Sequence, residues 1–158
     1  MVRLRTAALG VIVMVLGAVP ASADVTGFVG ATTTPTNRLV RGAAVSVGIL
    51  VLAFEFEYAH TSDAAQAPSL ATGMGNVLLQ PPLSIKGIQP YVTTGAGLYR
   101  EKLGAIGDTG LGFNTGAGVK VSLAGPLRLR IDYRLFRLGD DALHSTVHRV
   151  YAGLNLQF

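Results

Sequence analysis

A chain of 158 residues is long enough for one domain and too short for two comfortable ones. Charged residues make up 14% of it, against about 25% in soluble domains, and the mean hydropathy of +0.45 favours a membrane protein. Cysteine is absent, which excludes disulfides and thiolate metal sites, and the formal charge of +4 comes without the basic runs of a nucleic-acid-binding protein.

The chain begins with a segment typical of a secretory signal peptide. Residues 1–5 carry two arginines, Arg3 and Arg5, residues 7–19 are apolar, and the small-x-small triplet Ala21-Ser22-Ala23 follows. The apolar part is shorter than the roughly 20 residues that a membrane-spanning helix needs, and Pro20 interrupts it. We therefore predict a signal peptide over residues 1–23 and a mature domain over residues 24–158, beginning at Asp24. Removing the two arginines of the leader leaves 11 basic and 9 acidic residues, a charge of about +2.

The rest of the chain divides into segments of about ten residues, the length of a tilted membrane strand. The pattern predicts eight strands, over residues 25–33, 42–50, 53–61, 70–79, 89–99, 110–123, 127–138 and 146–158. Mostly short connections alternate with longer ones at 34–41, 62–69, 100–109 and 139–145; on the short side only the connection at 80–88 is long. An even number of strands with alternating connection lengths predicts an all-β fold: one eight-stranded antiparallel up-and-down transmembrane β-barrel.

Alternation along the strands separates an apolar face from a polar one. In the third strand Phe54 and Phe56 oppose Glu55 and Glu57, whereas the first and fourth strands are ambiguous. Side chains can fill an eight-stranded barrel, so a face of glycines, amides and charges suits its narrow interior. We therefore expect the polar face to point inward and the large apolar side chains to meet lipid.

The predicted interior carries most of the charge. We expect three carboxylates to pair with five cations in a lumen charge network of Glu55, Glu57, Asp132, Lys120, Arg128, Arg130, Arg134 and Arg149. Unpaired charges in a narrow, dry lumen would be costly, so mutual pairing is expected. The network is interpreted as a structural salt-bridge plug, with a charged conduit as the alternative.

Enzymatic activity is the least favoured function. A deacylase on the outer wall would need a Ser nucleophile, a His base and an acid. The candidates are His144, Ser145, His148 and either Asp140 or Asp141. Neighbouring residues of a strand point to opposite faces, so these residues are interpreted as polar loop and strand-end positions. His60 is likewise expected at the rim, and neither catalysis nor a metal or other cofactor is predicted.

The whole mature chain resembles the small OmpA/OmpX-type outer-membrane β-barrels, most strongly in residues 89–99 (QPYVTTGAGLY), 113–120 (FNTGAGVK) and 129–134 (LRIDYR). The end of the chain also resembles the assembly signal of such barrels, at Tyr151, Gly153, Leu156 and Phe158. The resemblance implies delivery by periplasmic chaperones, insertion by the outer-membrane assembly machinery, and contact with outer-membrane lipids and lipopolysaccharide. It leaves the physiological role open.

From these observations we expect a bacterial outer-membrane protein, monomeric, with a structural or surface-interaction role. A narrow porin-like channel for ions or small solutes is the first alternative, and a lipid A-modifying enzyme is the second. A soluble, ligand-carrying barrel is a further alternative that a detergent requirement during purification would dismiss.

Overall fold

The computed structural model describes residues 21–64, 67–103, 106–139, 142 and 144–158. These residues form eight antiparallel strands, each paired with its neighbours in sequence, and the first strand also pairs with the last to close a barrel. The strands are β1 (Ala21–Thr32), β2 (Arg38–Ile49), β3 (Leu52–Thr61), β4 (Ser69–Leu79), β5 (Ile88–Leu103), β6 (Ile106–Ala124), β7 (Leu127–Leu138) and β8 (Thr146–Gln157). The predicted all-β, eight-stranded barrel is confirmed.

The described residues contain no helix that is long and apolar enough to cross a membrane. The predicted signal peptide falls almost wholly on residues 1–20, outside the described residues. Its last three positions, Ala21 to Ala23, are the first of β1 and pair with β2.

The longest departure from the predicted strands lies between β5 and β6. The sequence predicts a loop over residues 100–109. Most of them instead continue the two strands, with Arg100 opposite Thr109 and Leu103 opposite Ile106. Polar residues suit both faces of a hairpin that extends beyond an apolar band, because both faces can then meet water. Similarly, β2 begins at Arg38, within a predicted loop.

The two ends of the barrel differ. The terminal end holds the start of β1, the end of β8 and the connections at residues 50–51, 80–87 and 125–126. Gly125, with φ of 54°, and Gly87, with φ of 80°, adopt the left-handed conformation in two of these turns, where glycine is favoured. The opposite end, with connections at 33–37, 62–68 and 139–145, is called the loop end.

The inward and outward faces follow the expected alternation. Phe54, Phe56 and Phe113 are each more than half exposed on the outer wall, whereas Glu55 and Glu57 are buried inside. The two ambiguous strands also alternate. In β1 the inward positions include Asp24, Thr26 and Phe28, and in β4 they include Leu70, Thr72, Met74, Asn76 and Leu78.

Candidate functional site in the barrel lumen

The middle of the lumen contains a set of fully paired charges that we call the ionic layer. It consists of Glu55 and Glu57 on β3, Arg130, Asp132 and Arg134 on β7, and Arg149 on β8. Alternation places all six on inward faces, and none is more than 3% exposed. The strands β3 and β7 are not neighbours in the sheet, so these contacts cross the interior of the barrel.

Arg134 is the centre of the ionic layer because it contacts all three of its carboxylates. Its Nη2 lies 2.7 Å from Glu55 Oε1, its Nη1 lies 3.1 Å from Glu57 Oε2, and its Nε lies 3.1 Å from Asp132 Oδ1. The planar guanidinium presents several donors in fixed directions, which suits one cation shared among several carboxylates.

Arg130 contacts two of these carboxylates, Glu55 and Asp132, from the side nearer the terminal end. Its Nη1 lies 2.5 Å from Glu55 Oε2 and its Nη2 lies 2.9 Å from Asp132 Oδ2. Its Nε donates to Tyr91 Oη at 2.7 Å, and the Tyr91 hydroxyl in turn donates to Asp132. Most hydrogen-bond donors and acceptors around Arg130 are therefore bonded to other side chains of the ionic layer or to Tyr91.

Arg149 forms the edge of the ionic layer that faces the loop end. It pairs with Glu57 at 3.3 Å and donates to Thr72 Oγ1, also at 3.3 Å. Its guanidinium lies over the Phe136 ring, 4.3 Å from the centroid, which is a favourable cation–π geometry. Tyr151 Oη completes this edge by donating to Glu57 Oε2 at 2.9 Å.

A separate ion pair lies nearer the terminal end. Lys120 pairs with Asp24, and both side chains are buried. The sequence placed Lys120 in the lumen but did not identify Asp24 as its partner, because β1 was ambiguous. With this pair, four buried carboxylates (Asp24, Glu55, Glu57, Asp132) contact four buried cations (Lys120, Arg130, Arg134, Arg149).

Arg128 corrects one part of the predicted network. It was expected to pair with a carboxylate, but its guanidinium donates to Gln89 Oε1 at 2.9 Å and to the side-chain oxygen of Gln157. Arg128 is only half-buried, at the mouth of the lumen at the terminal end, where water can solvate its charge. These side chains line part of a cavity of about 440 Å³.

Amide side chains extend the network beyond the predicted charges. Asn76 donates to Glu55 Oε1 at 3.2 Å, and Asn114 donates to Asn76 Oδ1 at 2.8 Å. Both asparagines are buried. Asn114 lies on the polar face that the sequence identified in β6, but Asn76 lies on β4, where the inward face also carries Leu70, Met74 and Leu78.

An apolar layer fills the lumen between the ionic layer and the loop end. Its buried members are Leu70, Met74, Tyr99, Phe136, Leu138 and Val147. A second buried apolar cluster beside it contains Phe28, Val40, Ala59 and Tyr151. The Phe28 and Tyr151 rings stack with centroids 4.1 Å apart, so Tyr151 belongs to an apolar cluster while its hydroxyl reaches the ionic layer.

The structure describes three of the predicted enzymatic candidates, His144, Ser145 and His148. Asp140 and Asp141 lie outside the described residues. Among the described residues, Ser145 is exposed in the last connection, and His148 Nδ1 is hydrogen-bonded to Tyr133 Oη at 2.7 Å on the outer wall. His60 is half-buried near the loop end of β3. No three or more His, Asp or Glu side chains in the described part of the chain form a group that could hold a metal ion.

The four residues of the predicted assembly signal divide between the two faces of β8. Tyr151 and Gly153 point into the lumen, whereas Leu156 and Phe158 are exposed outside. A Cβ on Gly153 would lie 2.5 Å from the Gly27 carbonyl oxygen and 2.8 Å from Phe28 Cβ. The close approach of β1 therefore requires glycine at position 153. This requirement holds whether or not the assembly machinery also recognises Gly153.

Comparison with known proteins identifies similar folds at low sequence identity. No family model and no curated protein matches the chain. The N-terminal β-barrel domain of Pseudomonas aeruginosa OprF aligns with a TM-score of 0.69 at 13% identity, over 87% of this chain and 97% of that one. Neisserial surface protein A aligns with a TM-score of 0.67 at 17% identity, over 87% of this chain and 96% of that one.

The outer membrane enzyme PagL also aligns, with a TM-score of 0.55 at 15% identity, over 84% of this chain and 98% of that one. Identities this low establish a common architecture and leave function undecided, since one fold hosts both enzymes and proteins of other kinds. The chain has the fold of the small, eight-stranded OmpA/OmpX-type outer-membrane barrels, as the resemblance of its sequence implied.

Proposed function

We propose that this protein is a bacterial outer-membrane barrel with a structural or surface-interaction role and a lumen closed to ion flow. The outer wall of the barrel is evidence for a membrane location, because large apolar side chains are each more than half exposed there: Phe54, Phe56, Leu98 and Phe113. An apolar wall of this extent is unfavourable in water, whereas the outside of a membrane barrel requires it.

The closed lumen is supported by one observation: the ionic layer and the apolar layer are both buried, one above the other. Arg130, Arg134, Arg149 and Phe136 are among the largest fully buried side chains of the protein. A continuous column of water would have to displace side chains of both layers. Moving the guanidinium groups would leave carboxylates buried and unpaired, which is strongly unfavourable.

A closed lumen leaves the outer wall and the loop end as the surfaces that meet the surroundings. This favours a role in supporting the envelope or in displaying loops to partners outside the cell. The narrow channel remains the alternative, and the half-buried Arg128 beside a cavity at the terminal end is the feature that favours it.

Planar-bilayer recording separates the closed barrel from the channel. We expect purified wild-type protein to show no steady conductance. A channel through the ionic layer would conduct steadily, and Glu57→Gln would change its ion selectivity. The outward-facing Arg137→Gln is the matched control, since it also removes one charge but lies outside the lumen. Steady wild-type conductance with selectivity that depends on Glu57 would overturn the closed barrel.

A lipid A-modifying enzyme is less well supported, although an enzyme shares the fold. In the described part of the chain, the only exposed carboxylate on a strand is that of Asp108, at the loop end of β6, and His148 is bound to Tyr133 rather than to a serine. We expect the mass spectrum of lipid A to be the same with and without expression of the protein. A new lipid A species that disappears with His148→Ala would establish the enzyme instead.

The maturation and assembly of the protein are also proposals. We expect cleavage after Ala23, which mass spectrometry of the membrane fraction would detect as an N-terminus at Asp24. We further expect deletion of Phe158 to reduce the amount of folded, heat-modifiable protein in the outer membrane, because Phe158 ends the assembly signal. Undiminished folded protein after this deletion would contradict the second expectation.

A further inference from the structure

The connection between β4 and β5, residues 80–87, is the longest at the terminal end, and the barrel holds it in place. Ser122 N donates to the Gly87 carbonyl at 2.7 Å, and the Gln89 side chain donates to the Pro81 carbonyl, also at 2.7 Å. A loop of two residues is enough to join two antiparallel strands. The additional residues of this connection are therefore an ordered feature of the terminal end.

The connection forms one wall of the cavity of about 440 Å³ beside Arg128, which we call the terminal cavity. A cavity of this volume is within the range of small-molecule sites in proteins. Its lining combines apolar and polar side chains from the connections and from the strands around them, among them Leu50, Gln80, Leu83, Gln89, Arg128 and Gln157.

Arg128 gives the terminal cavity a positive charge, because it pairs with no carboxylate among the residues that the structure describes. Its Nη1 donates to Gln89 Oε1 at 2.9 Å, and its Nη2 donates to Gln157 Oε1. A guanidinium has five N–H donors, and the others bond to no residue in the described part of the chain. The two glutamines thus position the guanidinium without neutralising it.

Buried polar side chains lie at the inner end of the terminal cavity. Gln80 is 7% exposed and lines the cavity, and its Oε1 accepts from Lys120 Nζ at 3.4 Å. The Nε2 of Gln80 donates to none of the described residues, so a buried amide donor lines the same cavity as the guanidinium. Lys120 in turn pairs with Asp24, whose charge is therefore compensated and does not offset that of Arg128.

Cleavage of the signal peptide after Ala23, as proposed above, changes this end of the barrel in one respect. It removes Ser22, which lines the terminal cavity, and leaves the α-ammonium group of Asp24 near the start of β1. This group adds a positive charge at the terminal end, so the mature protein favours an anion there more strongly than the precursor does.

We propose that the terminal cavity binds a small monocarboxylate with a short apolar chain. The carboxylate accepts hydrogen bonds from the Arg128 guanidinium and from the Gln80 amide. Hydrogen bonds between a guanidinium and a carboxylate are among the strongest in proteins, and the planar guanidinium can make two at once. The apolar chain lies against Leu50 and Leu83, which are 61% and 77% exposed, and removes part of their surface from water.

Only the source of the ligand rests on the outer-membrane location proposed above. In such barrels the short turns face the periplasm, so the terminal cavity opens towards that compartment and takes its carboxylate from there. The site also gives the half-buried Arg128 a role in a barrel whose lumen is closed, since the cavity ends at the buried Gln80 and Lys120.

Nuclear magnetic resonance of the isotope-labelled protein in zwitterionic detergent micelles tests the proposal. The side-chain amide signals of Gln80, Gln89 and Gln157 report from the terminal cavity itself, so binding elsewhere on the barrel is not mistaken for it. The probes are hexanoate, hexanamide, acetate and inorganic phosphate. We expect hexanoate to shift these signals saturably.

The other probes separate the contributions of charge and chain. Hexanamide has the same chain without the charge and should bind at least about tenfold more weakly than hexanoate. Acetate keeps the charge but lacks the methylene groups that cover the two leucines, and should also bind about tenfold more weakly. Inorganic phosphate should bind more weakly than hexanoate for the same reason.

Variants of Arg128 test the role of the guanidinium. Arg128→Gln should weaken hexanoate binding at least about tenfold and abolish the preference for hexanoate over hexanamide, which a loss of packing alone would not do. Arg128→Lys should retain part of this preference, because it keeps the charge but not the planar donors. Lys86→Gln is the matched control and should leave binding unchanged, since Lys86 is an exposed cation of the same connection outside the cavity lining.

Three results with the wild-type protein would overturn the proposal, and none depends on a variant folding: no saturable shift with hexanoate, equal affinity for hexanamide, or tighter binding of phosphate. An equal loss in Lys86→Gln and Arg128→Gln would overturn it too, because overall charge would then attract the acid. Planar-bilayer recording separates this proposal from the closed barrel. A closed barrel that does not bind hexanoate contradicts only the site, whereas steady conductance with hexanoate binding retained contradicts only the closed lumen.

Discussion

The ionic layer and the apolar layer occupy neighbouring levels of the same lumen, but they exclude water by different means. Arg134 holds Glu55, Glu57 and Asp132 within ion-pairing distance, so each charge is solvated by another. The apolar layer excludes water chiefly through the volume of its side chains. Arg149, which pairs with Glu57 and lies over Phe136, joins the two layers.

The difference determines how each layer responds to a change. Dispersion contacts are individually weak and have no strong directional requirement, so an apolar layer loses stability roughly in proportion to the volume removed. Buried ion pairs contribute little net stability against apolar groups of the same shape, but the removal of one partner leaves a charge without solvation. The ionic layer is therefore more sensitive to single substitutions that preserve size.

The largest effect should come from Arg134→Gln. This change keeps much of the side-chain volume but removes the cation that three buried carboxylates share. We expect the free energy of unfolding to fall by about 3–5 kcal/mol, the cost of breaking a truly buried pair. Urea unfolding in phospholipid vesicles, followed by far-ultraviolet circular dichroism, measures the change.

Arg137→Gln provides the control on the same strand, because Arg137 is exposed on the outer wall. Its unfolding should match that of the wild type, since exposed charges contribute little. An equal loss of unfolding free energy in the two variants would show that the charges of the ionic layer are no more shielded from water than those of the outer surface.

A smaller loss should follow truncation in the apolar layer. Leu70 is 1% exposed in that layer, and Leu70→Ala should lower the free energy of unfolding by about 2–4 kcal/mol through the cavity that it leaves. Leu98→Ala on the outer wall is the control, because lipid can fill the space beside it. The same unfolding assay should show a clearly smaller loss for Leu98→Ala, and a reversed order would contradict the assignment of faces.

A double-mutant cycle on Glu55 and Arg130 tests whether the ionic layer acts as paired charges. Their side chains lie 2.5 Å apart, so the two changes to Gln should not be additive. The double variant should lose less than the sum of the single variants, with a coupling energy of about 1–3 kcal/mol. If the losses in unfolding free energy are additive, water screens this pair, and the result would favour the channel over the closed barrel.

The sequence predicted the barrel well because alternation and connection length are local properties. The inward face of β3 and most of that of β7 could be read directly, since Glu55 and Glu57 alternate with aromatic residues and Arg130, Asp132 and Arg134 alternate with apolar ones. Five of the six members of the ionic layer were named on this basis, and Arg149 was named from the same alternation in β8. Which cation meets which carboxylate depends on the stagger of eight strands, which no local pattern encodes.

The apolar layer was missed for a related reason. A polar-inward rule identifies a lumen face only where that face is polar, and near the loop end the inward positions carry Phe136, Leu138, Leu70 and Met74. The same side chains make β4 ambiguous as a sequence. Asp24 was missed because β1 mixes Thr26 and Phe28 on its inward face, and only closure against the other strands brings Asp24 to Lys120.

The smallest loss in free energy of unfolding should come from a change at Tyr151, which contacts both an apolar cluster and the ionic layer. Tyr151 stacks on Phe28 in an apolar cluster and donates to Glu57 in the ionic layer. Tyr151→Phe preserves the ring and removes only the hydroxyl. The barrel should lose about 1.5 kcal/mol, the lower end of the range for a hydrogen bond to a charged group, because Glu57 keeps its contacts with Arg134 and Arg149. Tyr133→Phe is the matched control, because it removes an exposed hydroxyl bound to His148, and it should leave the free energy of unfolding unchanged.

Tyr151 also belongs to the predicted assembly signal. A loss of unfolding free energy after refolding in vitro would therefore establish a structural role that is independent of the assembly machinery. No difference between Tyr151→Phe and Tyr133→Phe would mean that Glu57 is satisfied by Arg134 and Arg149 alone.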